Sequence, residues 1–157
     1  MTLKTISVLG STGSIGRNTL SVVRESSAGL KIFGLAAGRN SALLGEQIEE
    51  FSPRVVSISR KEDAARLKKE YPSLEILDGI EGASDIAGRE ENDIVVSAIT
   101  GIDGLGPTLS ALQAGKRVAL ANKESMVVAG KLIQDTLRKS GGEIIPVDSE
   151  HLSLIHI

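Results

Sequence analysis

The chain has 157 residues, 41% of them hydrophobic, which suffices for one domain with a buried core. Aromatic residues make up only 2%, so the core must be built from Ala, Val, Ile and Leu, as in a parallel sheet covered by helices. With 18 Lys plus Arg against 20 Asp plus Glu, a net charge of -2 and no cysteine, there is no basic draw toward nucleic acid, no disulfide and no thiolate chemistry.

Taken in order, an apolar strand over Thr5–Leu9 runs into Gly10, Gly13 and Gly16. A helix follows from Ser14 or Ile15 to about Glu25, and a second strand covers Lys31–Ala36. The turn at Gly38-Arg39-Asn40 precedes a helix over Ala42–Phe51, with Asn40 or Ser41 as its N-cap and Pro53 barring continuation. Val55–Ile58 reads as a strand, Lys61–Glu70 as a charged helix, Leu74–Leu77 as a short strand and Ala83–Ala87 as a weak helix. A β-branched strand over Asp93–Ala98 leads to a glycine-rich loop and a helix with Pro107 in its first turn. The strand Arg117–Ala121, a long helix to about Lys139 and the strand Glu143–Val147 complete the pattern. The leading segment does not read as a signal or transit peptide, and no apolar run reaches the ~20 residues of a membrane span. A cytoplasmic location is expected.

Strands alternating with helices imply an α/β fold: a doubly wound, mostly parallel sheet with helices on both faces, Rossmann-like. Such sheets bind ligands beyond the carboxyl ends of their strands. Thr12, Arg39, Thr100, Asn122 and Asp148 all stand just past a strand end and should line one crevice. The glycine turn suits a pyrophosphate, because its backbone permits close approach and the helix start offers free N–H groups. A glycine-rich turn that binds nothing has the same spacing; the shared crevice favours binding.

Three clusters carry chemistry. Arg39 stands about 23 residues after Gly16, where NAD-binding domains place an acid for the ribose 2′-hydroxyl. A guanidinium there pairs with a 2′-phosphate, so the turn reads as NADP(H) rather than NAD(H). Lys123, in Asn122-Lys123-Glu124, can hold a phosphate or oxyanion, while Glu124 also reads as a simple helix-start charge. Asp148 and Glu150, one residue apart in an extended segment, share a face and offer hard oxygen ligands for Mg²⁺ or Mn²⁺; an acidic loop end reads equally well.

Taken together, Gly10–Gly16, Ala37–Asn40, Phe51–Arg54, Ala121–Ser125 and Pro146–His151 resemble the N-terminal part of the 1-deoxy-D-xylulose 5-phosphate reductoisomerase family, over about Thr5 to His151. The last two motifs together are specific to it. The resemblance implies an NADPH-dependent enzyme of the non-mevalonate isoprenoid route that rearranges a ketose phosphate and reduces the product. It implies that Thr12, Gly13, Ser14 and Ile15 meet the pyrophosphate, that Gly38, Arg39 and Asn40 meet the adenosine end, and that Asn122 and Glu124 touch NADPH. Lys123, Ser149 and Glu150 would bind substrate, with Lys123 and Glu150 catalytic, and Asp148 and Glu150 would hold Mn²⁺ or Mg²⁺. A sugar phosphate substrate and a homodimer of the full-length enzyme are implied, with neither nucleic acid nor membrane as partner. Another NADP-dependent dehydrogenase and a non-catalytic nucleotide sensor share the same cofactor fold.

The resemblance stops after His151. The six residues Leu152 to Ile157 do not follow the family pattern. Residues 1–151 are therefore expected to be an NADPH-binding domain ending at the start of a catalytic domain, with 152–157 a foreign tail. On that expectation the catalytic and C-terminal domains are missing, the chain alone is inactive and marginally stable, and the final strand is an unprotected edge.

Overall fold

A computed structural model describes residues 3–26, 29–121 and 123–147. Among them, seven strands form one sheet, and every neighbouring pair is parallel. The strands are β1 Lys4–Leu9, β2 Leu30–Ala37, β3 Val55–Ile58, β4 Glu75–Asp78, β5 Ile94–Ser97, β6 Arg117–Leu120 and β7 Glu143–Pro146. The helices are α1 Ser14–Glu25, α2 Ser41–Phe51, α3 Lys61–Glu70, α4 Gly79–Gly88, α5 Leu105–Gln113 and α6 Lys123–Ser140.

The spatial order is β4-β3-β2-β1-β5-β6-β7. The chain winds outward from β1 to β4, returns to lay β5 against the other side of β1, and then winds outward again. The order therefore reverses between β1 and β5, and a ligand crevice opens at the carboxyl ends of those two strands. The expected doubly wound sheet is present. The short strand at 75–78 is a full member of it, which places β4 and β7 at the two edges.

Two apolar layers hold the sheet. On one face Leu20 and Val23 of α1, Leu44 and Ile48 of α2, and Ala64 and Leu67 of α3 pack against Ile6, Val8, Leu35, Val56 and Val96. On the other, Ile86 of α4, Ala111 and Leu112 of α5 and Ile133 of α6 pack against Leu9, Phe33, Val55, Val95 and Val118. Burying each Leu, Ile or Val stabilises the fold by about 1.5–3 kcal/mol before the ordering entropy is subtracted. With so few aromatic side chains, close packing comes from many small contacts, and some glycines are part of it. A Cβ on Gly34 would stand 2.6 Å from Ile86 and 2.9 Å from Ser7 Oγ.

Several boundaries differ from the sequence reading. The weak helix begins at Gly79, directly after β4, because Gly79 takes a positive φ of 71° that turns the strand into the helix. Residues Ile102–Gly104 form a short 3-10 turn within the glycine-rich loop, so α5 already starts at Leu105 and Pro107 is its third residue. Asn40, not Ser41, is the N-cap of α2: its side-chain oxygen accepts the Leu43 N–H at 3.0 Å. The long helix starts at Lys123 and is interrupted at Ala129, where φ is -132°.

Candidate functional site

The three glycines after β1 do three different jobs. Gly10 has φ +84°, and a Cβ there would lie 2.5 Å from the Ala98 carbonyl oxygen at the end of β5. Only glycine lets the two strands meet at the reversal point. A Cβ on Gly16 would lie 2.1 Å from the Gly10 carbonyl oxygen, so that glycine seats α1 against the turn. Gly13 is different. Its φ of -81° is open to any residue, and a Cβ would come no nearer than 3.6 Å to its neighbours. Among the described residues nothing requires a glycine at 13.

The turn is held firmly. The Ala36 carbonyl oxygen accepts both the Gly10 N–H at 2.7 Å and the Ser11 N–H at 2.9 Å, and the Gly10 carbonyl accepts the Gly13 N–H at 3.2 Å. The Gln47 side-chain amide of α2 donates to the Ser11 carbonyl at 2.9 Å. The first turn of α1 leaves its own N–H groups without intrahelical partners, which gives a concentration of donors beside Gly13.

A cleft of about 300 Å³ opens over this turn. Gly10, Thr12 and Gly13 line it from β1, Gly38 from the end of β2, Ser59 from β3, and Ile99 and Thr100 from β5. Of the residues expected to contact a cofactor, Thr12, Gly13 and Gly38 stand in its wall. Ser14 is exposed in the first turn of α1, and Ile15 packs its side chain against the core. Arg39 and Asn40 are exposed at the start of α2. Arg39 makes no ion pair among the described residues, whereas nearby Arg60 and Arg66 both grip the buried Asp63 carboxylate, at 3.0 and 2.9 Å.

At the other rim, Glu124 is not a bare helix-start charge. Its carboxylate accepts the Gly101 N–H at 3.0 Å and ties α6 to the loop after β5. Lys123 is exposed at the first position of α6 and makes no ion pair among the described residues. Asn122, Asp148, Ser149 and Glu150 lie outside the described residues. Among those described, no group of three or more His, Cys, Asp or Glu could hold a metal ion. None of their helices is long and apolar enough to cross a membrane.

Sequence reading missed Ser59, Gly79, Ile80 and Asp103 in the cleft wall. The first two follow β3 and β4 directly, so the rule that placed Thr12 and Arg39 at strand ends would have found them. Gln47 was also missed. Its signal was a glutamine on the buried stripe between Leu44 and Ile48.

Comparison with known proteins agrees with this geometry. The family model for 1-deoxy-D-xylulose 5-phosphate reductoisomerase matches residues 6–130. The enzyme of that name from Pelodictyon phaeoclathratiforme is 50% identical over 154 residues, covering 97% of this chain and 40% of the relative. A crystal structure of DOX-P reductoisomerase in complex with NADPH, fosmidomycin and magnesium superposes with a TM-score of 0.89 at 40% identity, over 95% of this chain and 37% of that one. The Zymomonas mobilis enzyme in complex with NADPH gives 0.88 at 36% identity, over 96% of this chain and 40% of that one. The chain thus spans about 40% of the length of the curated relatives it matches. By its matched sequence, its sheet order and its glycine turn, the chain belongs to the 1-deoxy-D-xylulose 5-phosphate reductoisomerase family.

Proposed function

We propose that this chain is the NADPH-binding part of an enzyme that rearranges 1-deoxy-D-xylulose 5-phosphate and reduces the resulting aldehyde to 2-C-methyl-D-erythritol 4-phosphate. The observation that carries the reading is Gly13, which has no packing reason to be glycine and faces the cleft at the strand-order reversal. The backbone of Thr12, Gly13, Ser14 and Ile15 would receive the pyrophosphate, where free N–H groups and the start of α1 favour negative charge. Gly38, Arg39 and Asn40 would take the adenosine end. Arg39 is free of carboxylate partners among the described residues, so its guanidinium is available to a 2′-phosphate.

Asn122 and Glu124 would bound the nicotinamide side, Glu124 through the loop it anchors at Gly101. Bound NADPH would supply the hydride for the reduction. Lys123 would neutralise an anionic oxygen of the substrate, and Ser149 and Glu150 would orient it. The Asp148 and Glu150 carboxylates match the hard oxygen preference of Mn²⁺ or Mg²⁺, an ion that would stabilise developing enolate charge during the rearrangement. Lys123 and Glu150 are thus the proposed catalytic residues. For the full-length enzyme we propose a cytoplasmic homodimer that uses neither nucleic acid nor a membrane.

Titration with NADPH, with NADH in parallel, tests the cofactor reading through nicotinamide fluorescence, because the chain has no Trp to interfere. Saturable binding that prefers NADPH is expected. A folded chain that binds neither nucleotide would overturn the reading.

A further inference from the structure

Among the described residues, the buried interior contains a polar arrangement between α2 and the glycine turn that leaves two oxygens unpaired. Gln47 is 5% exposed and sits on the apolar stripe of α2. Its amide nitrogen donates to the Ser11 carbonyl, but its Oε1 has no hydrogen-bond partner among the described residues, and neither does the Ser11 hydroxyl. A buried acceptor without a donor costs about 1–3 kcal/mol, which offsets what the bond to the Ser11 carbonyl contributes. The net gain in stability from a glutamine there is therefore small.

The peptide geometry supplies a further reason for the glutamine. The Ser11–Thr12 peptide is trans, so its C=O and its N–H point in opposite directions. Gln47 pulls the Ser11 oxygen toward α2, which turns the Thr12 N–H away from α2. Thr12 lines the cleft, and its N–H makes no hydrogen bond among the described residues. The same helix begins at the Asn40 cap, directly after Arg39. A rigid helix rising about 1.5 Å per residue therefore joins the pyrophosphate turn to the 2′-phosphate arm.

The geometry points to Gln47 as a positioning residue for the dinucleotide: it aims the Thr12 N–H at the pyrophosphate and fixes its distance from Arg39. This role rests on the NADPH reading above. Gln47 touches no cofactor itself. It acts through the Ser11–Thr12 peptide, so its removal affects the pyrophosphate end and spares the adenosine end.

Gln47→Leu and Gln47→Met test this in the 157-residue chain, with circular dichroism and a thermal midpoint to establish folding. Each variant removes the unpaired Oε1 but leaves the Ser11 carbonyl without its donor, so each is expected to stay folded with a stability within about 2 kcal/mol of the parent, and to bind NADPH about tenfold more weakly. Each should bind adenosine 2′-monophosphate, which reaches only the Arg39 arm, as well as the parent does. In amide NMR spectra, the Thr12 N–H resonance should move on NADPH addition in the parent and move far less in the variants. Folded variants with parental NADPH affinity would overturn the role. Equal loss of both ligands, or failure of both variants to fold, would also overturn it, since Gln47 would then be structural. If the parent binds adenosine 2′-monophosphate but not NADPH, the role fails and the Arg39 reading survives. If it binds neither, the cofactor reading fails and takes this role with it.

Discussion

The Glu124 carboxylate accepts the Gly101 N–H at 3.0 Å, joining the first turn of α6 to the loop that follows β5. Gly101 takes φ +75°, a conformation open to glycine, and its neighbour Thr100 lines the cleft. The loop that closes one side of the crevice is thus held from the next crossover unit. Glu124→Ala should free it: amide exchange at Gly101 is expected to rise, and NADPH affinity to fall about three- to tenfold. Glu124→Gln keeps an acceptor and should preserve most of the protection at Gly101. Equal exchange in both variants would count against the tie.

Arg39→Asp exchanges a guanidinium with no ion pair among the described residues for a carboxylate at the proposed 2′-phosphate position. A charge-assisted hydrogen bond is worth about 1.5–3 kcal/mol, so NADPH should weaken by roughly 10- to 100-fold. NADH should weaken much less, and the preference between the two should collapse. Parallel fluorescence titrations would read both affinities. An unchanged preference would remove Arg39 from the site.

Gly13 and Gly16 should respond oppositely to the same methyl group. Gly16→Ala drives a Cβ to 2.1 Å from the Gly10 oxygen, a backbone atom that cannot swing aside, and should cost about 2–4 kcal/mol of stability. Gly13→Ala has room and an ordinary φ, so its stability should stay within about 1 kcal/mol of the parent. Its NADPH affinity should nevertheless drop at least about tenfold. Denaturant unfolding and nucleotide titration on the two variants separate the roles.

At the opposite end of the sheet, the Asn92 oxygen accepts the Ser7 hydroxyl at 2.5 Å, while its amide donates to the Ile86 carbonyl at 2.7 Å. All of this is buried and bridges β1, α4 and the turn before β5. Asn92→Leu leaves the Ser7 hydroxyl unpaired, while the Ile86 carbonyl keeps the Arg89 N–H at 3.3 Å, and should destabilise by about 1–3 kcal/mol without changing NADPH affinity. A loss of affinity with stability intact would contradict that assignment.

Acid stability should reflect two surface ion pairs. Arg24 grips Glu50, and Arg89 grips Glu75; each arginine holds its partner's carboxyl below the ordinary value of 4.5. A carboxylate with a depressed folded-state pKa stabilises the fold above its unfolded value and loses that contribution as pH falls through the folded one. The thermal midpoint should therefore fall as pH drops below about 4.5, and Arg89→Ala should flatten part of that fall. Both pairs are solvent-exposed, so the effect should be modest and fade with added salt.

The winding of the sheet was legible because period and punctuation agreed. Apolar runs at β1, β5 and β6 alternate with helical stripes such as Leu44 and Ile48, and Gly or Pro closes most elements. Boundaries were harder where a conformation rather than a composition decides. Gly79 begins α4 by adopting a positive φ, and α6 is interrupted at Ala129, beside Gly130, inside an otherwise helical pattern. The glycine turn was legible as the wall of a cleft because strand ends converge there. Glu124 was read as a cofactor contact or a helix-start charge, and its actual partner Gly101 stands 23 residues earlier, reached only once β5 and β6 pair. Gln47 belongs to the same class: its partner depends on which helix lies over which strand, and no local pattern encodes that.

The close seat of Gly16 on the Gly10 carbonyl, with no room for a Cβ between them, has a consequence for kinetics. A turn whose shape is dictated by its own close contacts, and pinned by Ala36 and Gln47, is a finished mould before any nucleotide arrives. On the NADPH reading, ordering this loop adds little cost at the moment of encounter, so association there would be docking rather than folding. Encounter rates should then vary little among nucleotides that present the same pyrophosphate. Discrimination between them should appear in how long each one stays.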